Sequence, residues 1–317
     1  MNKISIIGAG TMGHSIALTV AWHNLSTHIY AIDEKEVERA TESILQKVDI
    51  LVQSGLLSSI ESNQLLRNIH FTTSLVDCIK GTDFIIEAVP EDLLIKQGLY
   101  QLVEAIIPID IPIASNTSGI PTSSLSSEML YPERFIITHF WNPAHLIPLV
   151  EVVPGKVTSK ETVEKTVRLL ERLGKKAILV KKEVPGFIGN RLQFALFREA
   201  QYLLSEGVAS KEDIDLSVTH SIGRRLPITG PLMSADFTGL DVANAISEYL
   251  YENLCNHTKP GPPMTHFIEN NQLGVKSGQG FYQWDEEEIN KISKRREQLL
   301  IEFFKLDRQK GGGRNEG

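Results

Sequence analysis

The first thirteen residues restrict the fold more than anything after them. A short β-branched run, Ile4-Ser5-Ile6-Ile7, ends on Gly8-Ala9-Gly10-Thr11-Met12-Gly13, and helical spacing of apolar residues takes over from 12 to 23. A strand that turns through glycines straight into a helix can cradle an anion, because the free amides and the positive dipole end of the helix face the turn. Gly8 permits the tight turn, Gly10 lets backbone approach a pyrophosphate, and Gly13 lets the helix close on the strand, with Thr11 and Met12 completing the turn. The pattern alone is common. Its context is not: Asp33 stands twenty residues beyond Gly13, at the end of a second apolar run over 28–32. An acid there accepts hydrogen bonds from adenosine ribose hydroxyls and repels a 2′-phosphate, and Glu34 adds to that repulsion. The site therefore reads as one for NAD rather than NADP, with a simple strand-end turn acid as the plainer reading of Asp33.

Alternation continues through the first 180 residues. Apolar runs at 4–7, 28–32, 69–72, 84–88, 111–115, 135–140, 149–153 and 177–180 are separated by amphipathic windows at 12–23, 35–54, 93–106 and 160–173. Near-continuous apolar strands alternating with helices predict an α/β domain, a Rossmann-like doubly wound parallel sheet covered on both faces. From Pro185 onward only helical spacing is found, at 187–207, 211–220, 242–254, 264–270 and 286–305. This predicts an NAD-binding domain over 1–183 and an all-α C-terminal domain over 184–306, for substrate binding and dimerisation. The glycine-rich end, 307–317, has little to bury and reads as disordered.

Composition excludes several classes. Acidic residues outnumber basic ones by 39 to 32, a net charge of −7, whereas a general nucleic-acid binder needs a basic excess. Cys78 and Cys255 are the two cysteines and form no CxxC pattern, so neither a disulfide framework nor a metal site is expected. The start lacks the apolar core of a signal peptide, and no run approaches the ~20 apolar residues of a membrane span. A cytoplasmic protein without a membrane partner is the expectation.

A second constellation lies at Ser115-Asn116-Thr117-Ser118, Thr138-His139-Phe140-Trp141-Asn142-Pro143 and Leu149-Val150-Glu151-Val152-Val153. Glu151 falls inside an apolar run, where an unpaired carboxylate is expensive. The turn-forming Asn142-Pro143 lets the two runs fold back, so that His139 and Glu151 can meet. A histidine oriented by a buried carboxylate is a general base suited to alcohol oxidation. Taken alone, such a histidine is more often a satisfied core residue than a catalytic one.

The motifs GAGTMG, EAVPED, ASNTS, HFWNP, LVEVV, PGFIGNR and KSGQGFY stand in one order from Lys3 to about Trp284. Together they resemble the L-3-hydroxyacyl-CoA dehydrogenase family. The resemblance implies that His139 is the base and Glu151 its partner. It implies that Ser118 contacts the substrate oxygen and the nicotinamide end, and that Asn190 lies near the substrate carbonyl. Asn142 would flank the nicotinamide carboxamide, and Glu91 and Lys96 the nicotinamide ribose and phosphates. It further implies a homodimer, a role in fatty acid metabolism, and reversible oxidation of the 3-hydroxyl of a 3-hydroxyacyl-CoA such as 3-hydroxybutyryl-CoA.

The substrate leaves alternatives open. CoA phosphates call for Lys or Arg. Relatives that use CoA often carry them on the helix pair after the second strand, where this chain has only Lys47 between 47 and 59. Ile147-Pro148-Leu149-Val150-Glu151, Asn190-Arg191-Leu192-Gln193 and Gly223-Arg224-Arg225 are closer to the branch that includes L-gulonate 3-dehydrogenase, λ-crystallin and carnitine dehydrogenase. Arg191 or Arg225 would there clamp a free carboxylate, or else form a structural ion pair. Acyl-CoA is the leading expectation, a small polar 3-hydroxy acid the alternative, and a non-catalytic structural relative the remote one. His14 receives no role. His70, His145, His220, His257 and His266 fall in no ligand spacing and read as surface or loop residues.

Overall fold

The computed structural model describes residues 1–311. Eight strands form one sheet: β1 (Lys3–Ile7), β2 (Ser26–Tyr30), β3 (Ile69–Thr72), β4 (Phe84–Glu87), β5 (Ile113–Ser115), β6 (Phe135–Phe140), β7 (Leu149–Pro154) and β8 (Lys176–Leu179), in the order β3-β2-β1-β4-β5-β6-β7-β8. The first six follow the doubly wound 3-2-1-4-5-6 order, which reverses between β1 and β4 and leaves a crevice at the carboxyl ends of those strands. The sheet is parallel except at one hairpin, where the chain folds back at Asn142-Pro143 as the sequence allows: β7 runs antiparallel to β6 and pairs His139 with Glu151, while β8 runs parallel to β7. The eight residues between β6 and β7 are too few for a crossover helix, which takes a dozen or more, so the chain turns back.

Helices α1 (Thr11–Trp22), α2 (Glu34–Gln53), α3 (Ser59–Arg67), α4 (Leu75–Ile79), α5 (Leu93–Glu104), α6 (Thr122–Leu125) and α7 (Lys160–Arg172) fill the connections. Side-chain caps start several of them: Asp33 for α2, Asp92 for α5, Ser159 for α7, and a reciprocal Ser58–Glu61 capping box for α3. Successive strand residues point to opposite faces, and two cores result. Ile4, Ile6, Phe84 and Ile136 pack with α1 and α2 on one face. Ile7, Ile85, Ile113 and Phe135 pack with Tyr100 and Val103 of α5 on the other.

The chain divides into two compact units, Met1–Gly189 with Arg296–Gly317, and Asn190–Arg295. The second contains α8 (Gly189–Ser205), from its second residue, α9 (Lys211–Ser217), a π-helical turn at Val218–Ile222, α10 (Gly223–Arg225), α11 (Pro231–Thr238), α12 (Leu240–Leu250), α13 (Pro262–Glu269) and the start of α14 (Glu286–Gly311). Here Gly278 takes φ +78, Phe281 packs on Phe267 at 4.8 Å, and Lys211 lies 4.6 Å over the Tyr282 ring, so the KSGQGFY run is a packing turn.

By its contacts the first unit runs on to Gly189 and takes in the far half of α14. Residues 307–311, expected to be disordered, are helical, while 312–317 lie outside the described residues. The helix persists because it has a face to bury: Phe304 stacks on Trp22 at 5.3 Å, Arg308 caps the Trp22 ring at 5.1 Å, and Ile301, 4% exposed, joins the core of α1 and α2. Truncating that anchor tests the point. Ile301→Ala should lower the stability of the first unit by about 2–4 kcal/mol, read as a shifted midpoint in urea unfolding; an unchanged midpoint would show that α14 is a dispensable appendage.

Candidate active site

The glycine turn sits where the strand order reverses. Gly8 has φ +104, and a side chain there would meet Ala88 O at 2.8 Å; one at Gly13 would meet Gly8 O at 1.9 Å. Those two glycines let β1, β4 and α1 close on one another. Gly10 is exposed, and a Cβ there would meet no atom within 4 Å. It caps α1 without a side chain, so the helix amides open onto free space, the shape a pyrophosphate requires. Thr11 is exposed and Met12 half-buried beside it. Asp33 stands exposed beyond β2, its Oδ1 accepting from the Glu36 amide at 2.7 Å, while Glu36 accepts from the Ile32 amide at 2.8 Å. These residues fit a dinucleotide.

His139 and Glu151 face each other across β6 and β7, with Nδ1 of His139 2.7 Å from Glu151 Oε2. The other carboxylate oxygen accepts from the amides of Ile188 and Gly189 at 2.8 and 3.0 Å. Burial pushes the Glu151 carboxyl up, but the hydrogen bond from His139 and those two amides outweigh it, and the group ends below its ordinary range. The amides are aimed by a turn in which Gly186 and Phe187 both take positive φ, +75 and +51. A left-handed conformation at phenylalanine is costly, and it is held by burial: Phe187 is 1% exposed, its ring 5.7 Å from His139. Trp141 flanks the imidazole on another side at 5.1 Å. With Nδ1 committed to Glu151, Nε2 is the nitrogen left for chemistry, and proton transfer at that atom is what this arrangement can perform.

A second buried network organises the neighbouring loop. Glu87, fully buried at the end of β4, accepts from Tyr100 Oη and Ser115 Oγ at 2.6 Å each, from the Val89 amide at 2.7 Å, and from Lys96 Nζ at 2.6 Å. Lys96 also donates to Val89 O and lies 3.4 Å from Glu91. Glu91 in turn accepts from Thr117 Oγ1 at 2.5 Å and from the Ser118 amide and hydroxyl at 3.0 and 3.4 Å. Burial raises the Glu91 carboxyl, but the Thr117 hydroxyl and the Lys96 charge outweigh it and hold it low. Asn116 Oδ1 accepts from the Phe140 amide at 2.9 Å and ties this loop to the strand that carries His139.

The structure thus gathers Glu91, Lys96 and Ser118 into one network and His139 with Glu151 into another. Lys96 is an interior residue, 1% exposed, whose ammonium is taken up by protein oxygens rather than presented on the surface. Asn142 is exposed in the link from β6 to β7, and its peptide bond to Pro143 is cis. Asn190, half-buried, and exposed Arg191 open the second unit, where exposed Arg225 ends α10. Sequence reasoning passed over Glu87, although a carboxylate inside an apolar strand is the signal that singled out Glu151. It also misplaced His145, which is 2% exposed with Nδ1 3.0 Å from Ser15 Oγ. Burial and the charges of Lys47 and Lys175 push that imidazole down to about 3, so it stays neutral. His14 is buried too, between Ala9 O at 3.3 Å and Lys47 Nζ at 3.1 Å.

Two family models cover most of the chain: the NAD binding domain of 3-hydroxyacyl-CoA dehydrogenase matches residues 3–184, and its C-terminal domain matches 186–284. The chain belongs to the 3-hydroxyacyl-CoA dehydrogenase family. It is thus an NAD-dependent oxidoreductase of the kind that acts on CH–OH groups. It is 33% identical over 307 residues to the 5-formyl-3-hydroxy-2-methylpyridine 4-carboxylate 5-dehydrogenase of Mesorhizobium japonicum, covering 95% of this chain and 96% of that protein. A solved structure of an enzyme with that activity, described as an NAD⁺-dependent dismutase, superposes with a TM-score of 0.90 at 33% identity, over 97% of this chain and 99% of that one. The (S)-3-hydroxybutyryl-CoA dehydrogenase of Ralstonia eutropha superposes with a TM-score of 0.75 at 34% identity, covering 90% of this chain and all of its own. The human λ-crystallin homolog is 34% identical over 230 residues, 72% of each chain.

Within the family site, Gly189 gives a discriminating substitution. It opens a helix, where alanine is intrinsically better by about 1 kcal/mol, yet a Cβ there would lie 2.3 Å from the Trp141 ring. Gly189→Ala should therefore destabilise by about 1–3 kcal/mol and change Trp fluorescence. A more stable protein with an unchanged spectrum would contradict the packing of Trp141.

Proposed function

We propose that this protein transfers hydride from a secondary or primary CH–OH carbon to NAD, with His139 as general base, on a compact substrate that carries a free carboxylate. The observation that carries the chemistry is the 2.7 Å pair of His139 Nδ1 with buried Glu151, which leaves Nε2 to take the hydroxyl proton. Glu151 holds the tautomer and stabilises the imidazolium as it forms. Ser118 binds the substrate oxygen, Asn190 the far side of the reacting group, and Asn142 the carboxamide of the nicotinamide. Asp33 takes the adenosine ribose hydroxyls, and the 8–13 turn takes the pyrophosphate. Lys96 acts through Glu91, which it holds in place beside Ser118. Bound NAD supplies the hydride acceptor.

Two observations favour the compact acid. Lys47, the one lysine where CoA phosphates would call for cations, is occupied internally by His14 and by Ser43 O. The relative that matches almost end to end acts on a pyridine carboxylate. Arg225 or Arg191, both exposed, would receive such a carboxylate as a bidentate fork. The second reading, a 3-hydroxyacyl-CoA substrate, rests on the family itself and on the 3-hydroxybutyryl-CoA dehydrogenases it contains. NADH absorbance followed with 3-hydroxybutyryl-CoA and with a panel of hydroxylated or formylated carboxylic acids separates the two: turnover on the thioester alone removes the compact-acid reading.

A homodimer is part of this reading. In the second unit Ile228, Leu232 and Phe237 are each 80% or more exposed, and such an apolar surface calls for a partner.

The His139→Ala variant should lose at least about two decades of turnover while NADH still binds in a fluorescence titration; unchanged turnover would end the assignment. In Glu151→Gln the shape is retained and the charge lost, so turnover should fall while NADH affinity stays within about twofold. Failure of that variant to fold would mean that Glu151 serves the sheet rather than the base.

A further inference from the structure

Lys175 is 6% exposed, directly before β8, and among the described residues its ammonium has no carboxylate partner. It donates instead to two backbone carbonyls, Ala144 O at 2.5 Å and Ile147 O at 2.9 Å. Burying an ammonium without a counter-charge is expensive, and its burial lowers its pKa from 10.5 to about 7. A leucine or methionine in that place would avoid the cost. The carbonyls it holds belong to one short segment, 144–147, which directly follows Asn142-Pro143 and leads into the strand of Glu151. The same segment has a second anchor on its other side. His145 Nδ1 lies 3.0 Å from Ser15 Oγ, and Ser15 belongs to α1, two residues beyond Gly13. Ala144 and Leu146 fill the core between these anchors, at 0% and 2% exposure.

We infer that Lys175 is a positioning residue for the bound dinucleotide: its ammonium clamps the 144–147 segment against α1 and so fixes Asn142 relative to the glycine turn. The clamp spans the stretch of chain where the cofactor helix and the His139–Glu151 hairpin must keep a common frame. It rests on the proposed reading in one respect, that the nicotinamide end lies beside Asn142. A misplacement of about 1 Å in such a segment is enough to cost some 10²-fold in rate.

The test compares wild type, Lys175→Met and Ser15→Ala by NADH fluorescence titration and by urea unfolding from pH 7 to 10.5. The stability of wild type relative to Lys175→Met should rise over that interval, because the unfolded chain retains the lysine proton that the folded chain sheds near pH 7. The groups facing Lys175 are His145 from the loop and His23 at the end of α1; both are shifted below their ordinary values and stay neutral throughout. Lys175→Met should lose the share of the pH dependence that Lys175 contributes, unfold cooperatively, and weaken NADH binding at least tenfold. Ser15→Ala should weaken it severalfold with the pH rise intact. If Lys175→Met binds NADH within twofold of wild type, the clamp is overturned while the proposed function stands. Should that variant fail to fold, Ser15→Ala decides, and unchanged affinity there overturns the clamp. A wild-type protein that binds no NADH removes both readings.

Discussion

A carboxylate with no exposed surface sits in the middle of an apolar strand, and much of the surrounding architecture keeps Glu151 charged there. One oxygen is satisfied by His139 across the hairpin and the other by two amides of the turn that leads into α8. The amides require Gly186 and Phe187 to adopt left-handed conformations, and the hairpin requires β7 to run against its neighbour. Remove the charge and the antiparallel return, the strained turn and the tilted rings packed around His139 lose their common purpose. The cost of each is local. The gain is a single imidazole nitrogen with a fixed direction.

Glu87 repeats this logic one strand away. It gathers a lysine, a tyrosine, a serine and an amide so that a second carboxylate, Glu91, can stand beside Ser118. A buried ion pair of this kind adds little net stability, but it is directional. Two such buried acids, one serving a histidine and one serving a serine loop, are joined through Asn116 to Phe140. That hydrogen bond joins the loop of one network to the strand of the other.

Much of this was legible beforehand, and the failures are informative. The strands stood out because apolar β-branched runs bounded by turn residues have few other fates, and Glu151 stood out because a charge in such a run needs a partner. Glu87 carried the same mark and was passed over, since its partners Lys96 and Tyr100 come from a helix whose spacing reads as ordinary amphipathicity. Lys175 and His145 were invisible for a different reason. Their partners are backbone carbonyls and a serine 130 residues away from His145, and no pattern in a sequence announces a carbonyl. The return of β7 against β6 was legible in the turn-forming Asn142-Pro143, and the eight-residue link, too short for a crossover, points the same way. The substrate stayed open because it depends on which lysines are free, and Lys47 and Lys96 are distinguished from surface lysines only by their neighbours.

The shared helix α14 has a consequence for synthesis. Ile301 and Phe304 belong to the core of the unit that begins at residue 1, yet the entire second unit is translated before them. At ribosomal speeds of about 5–20 residues per second, the intervening 190–295 take roughly 5–20 s. During that interval the nascent sheet presents Trp22 and the α1–α2 face uncovered. The order of translation thus leaves the core of the cofactor-binding half incomplete until the helical half has emerged.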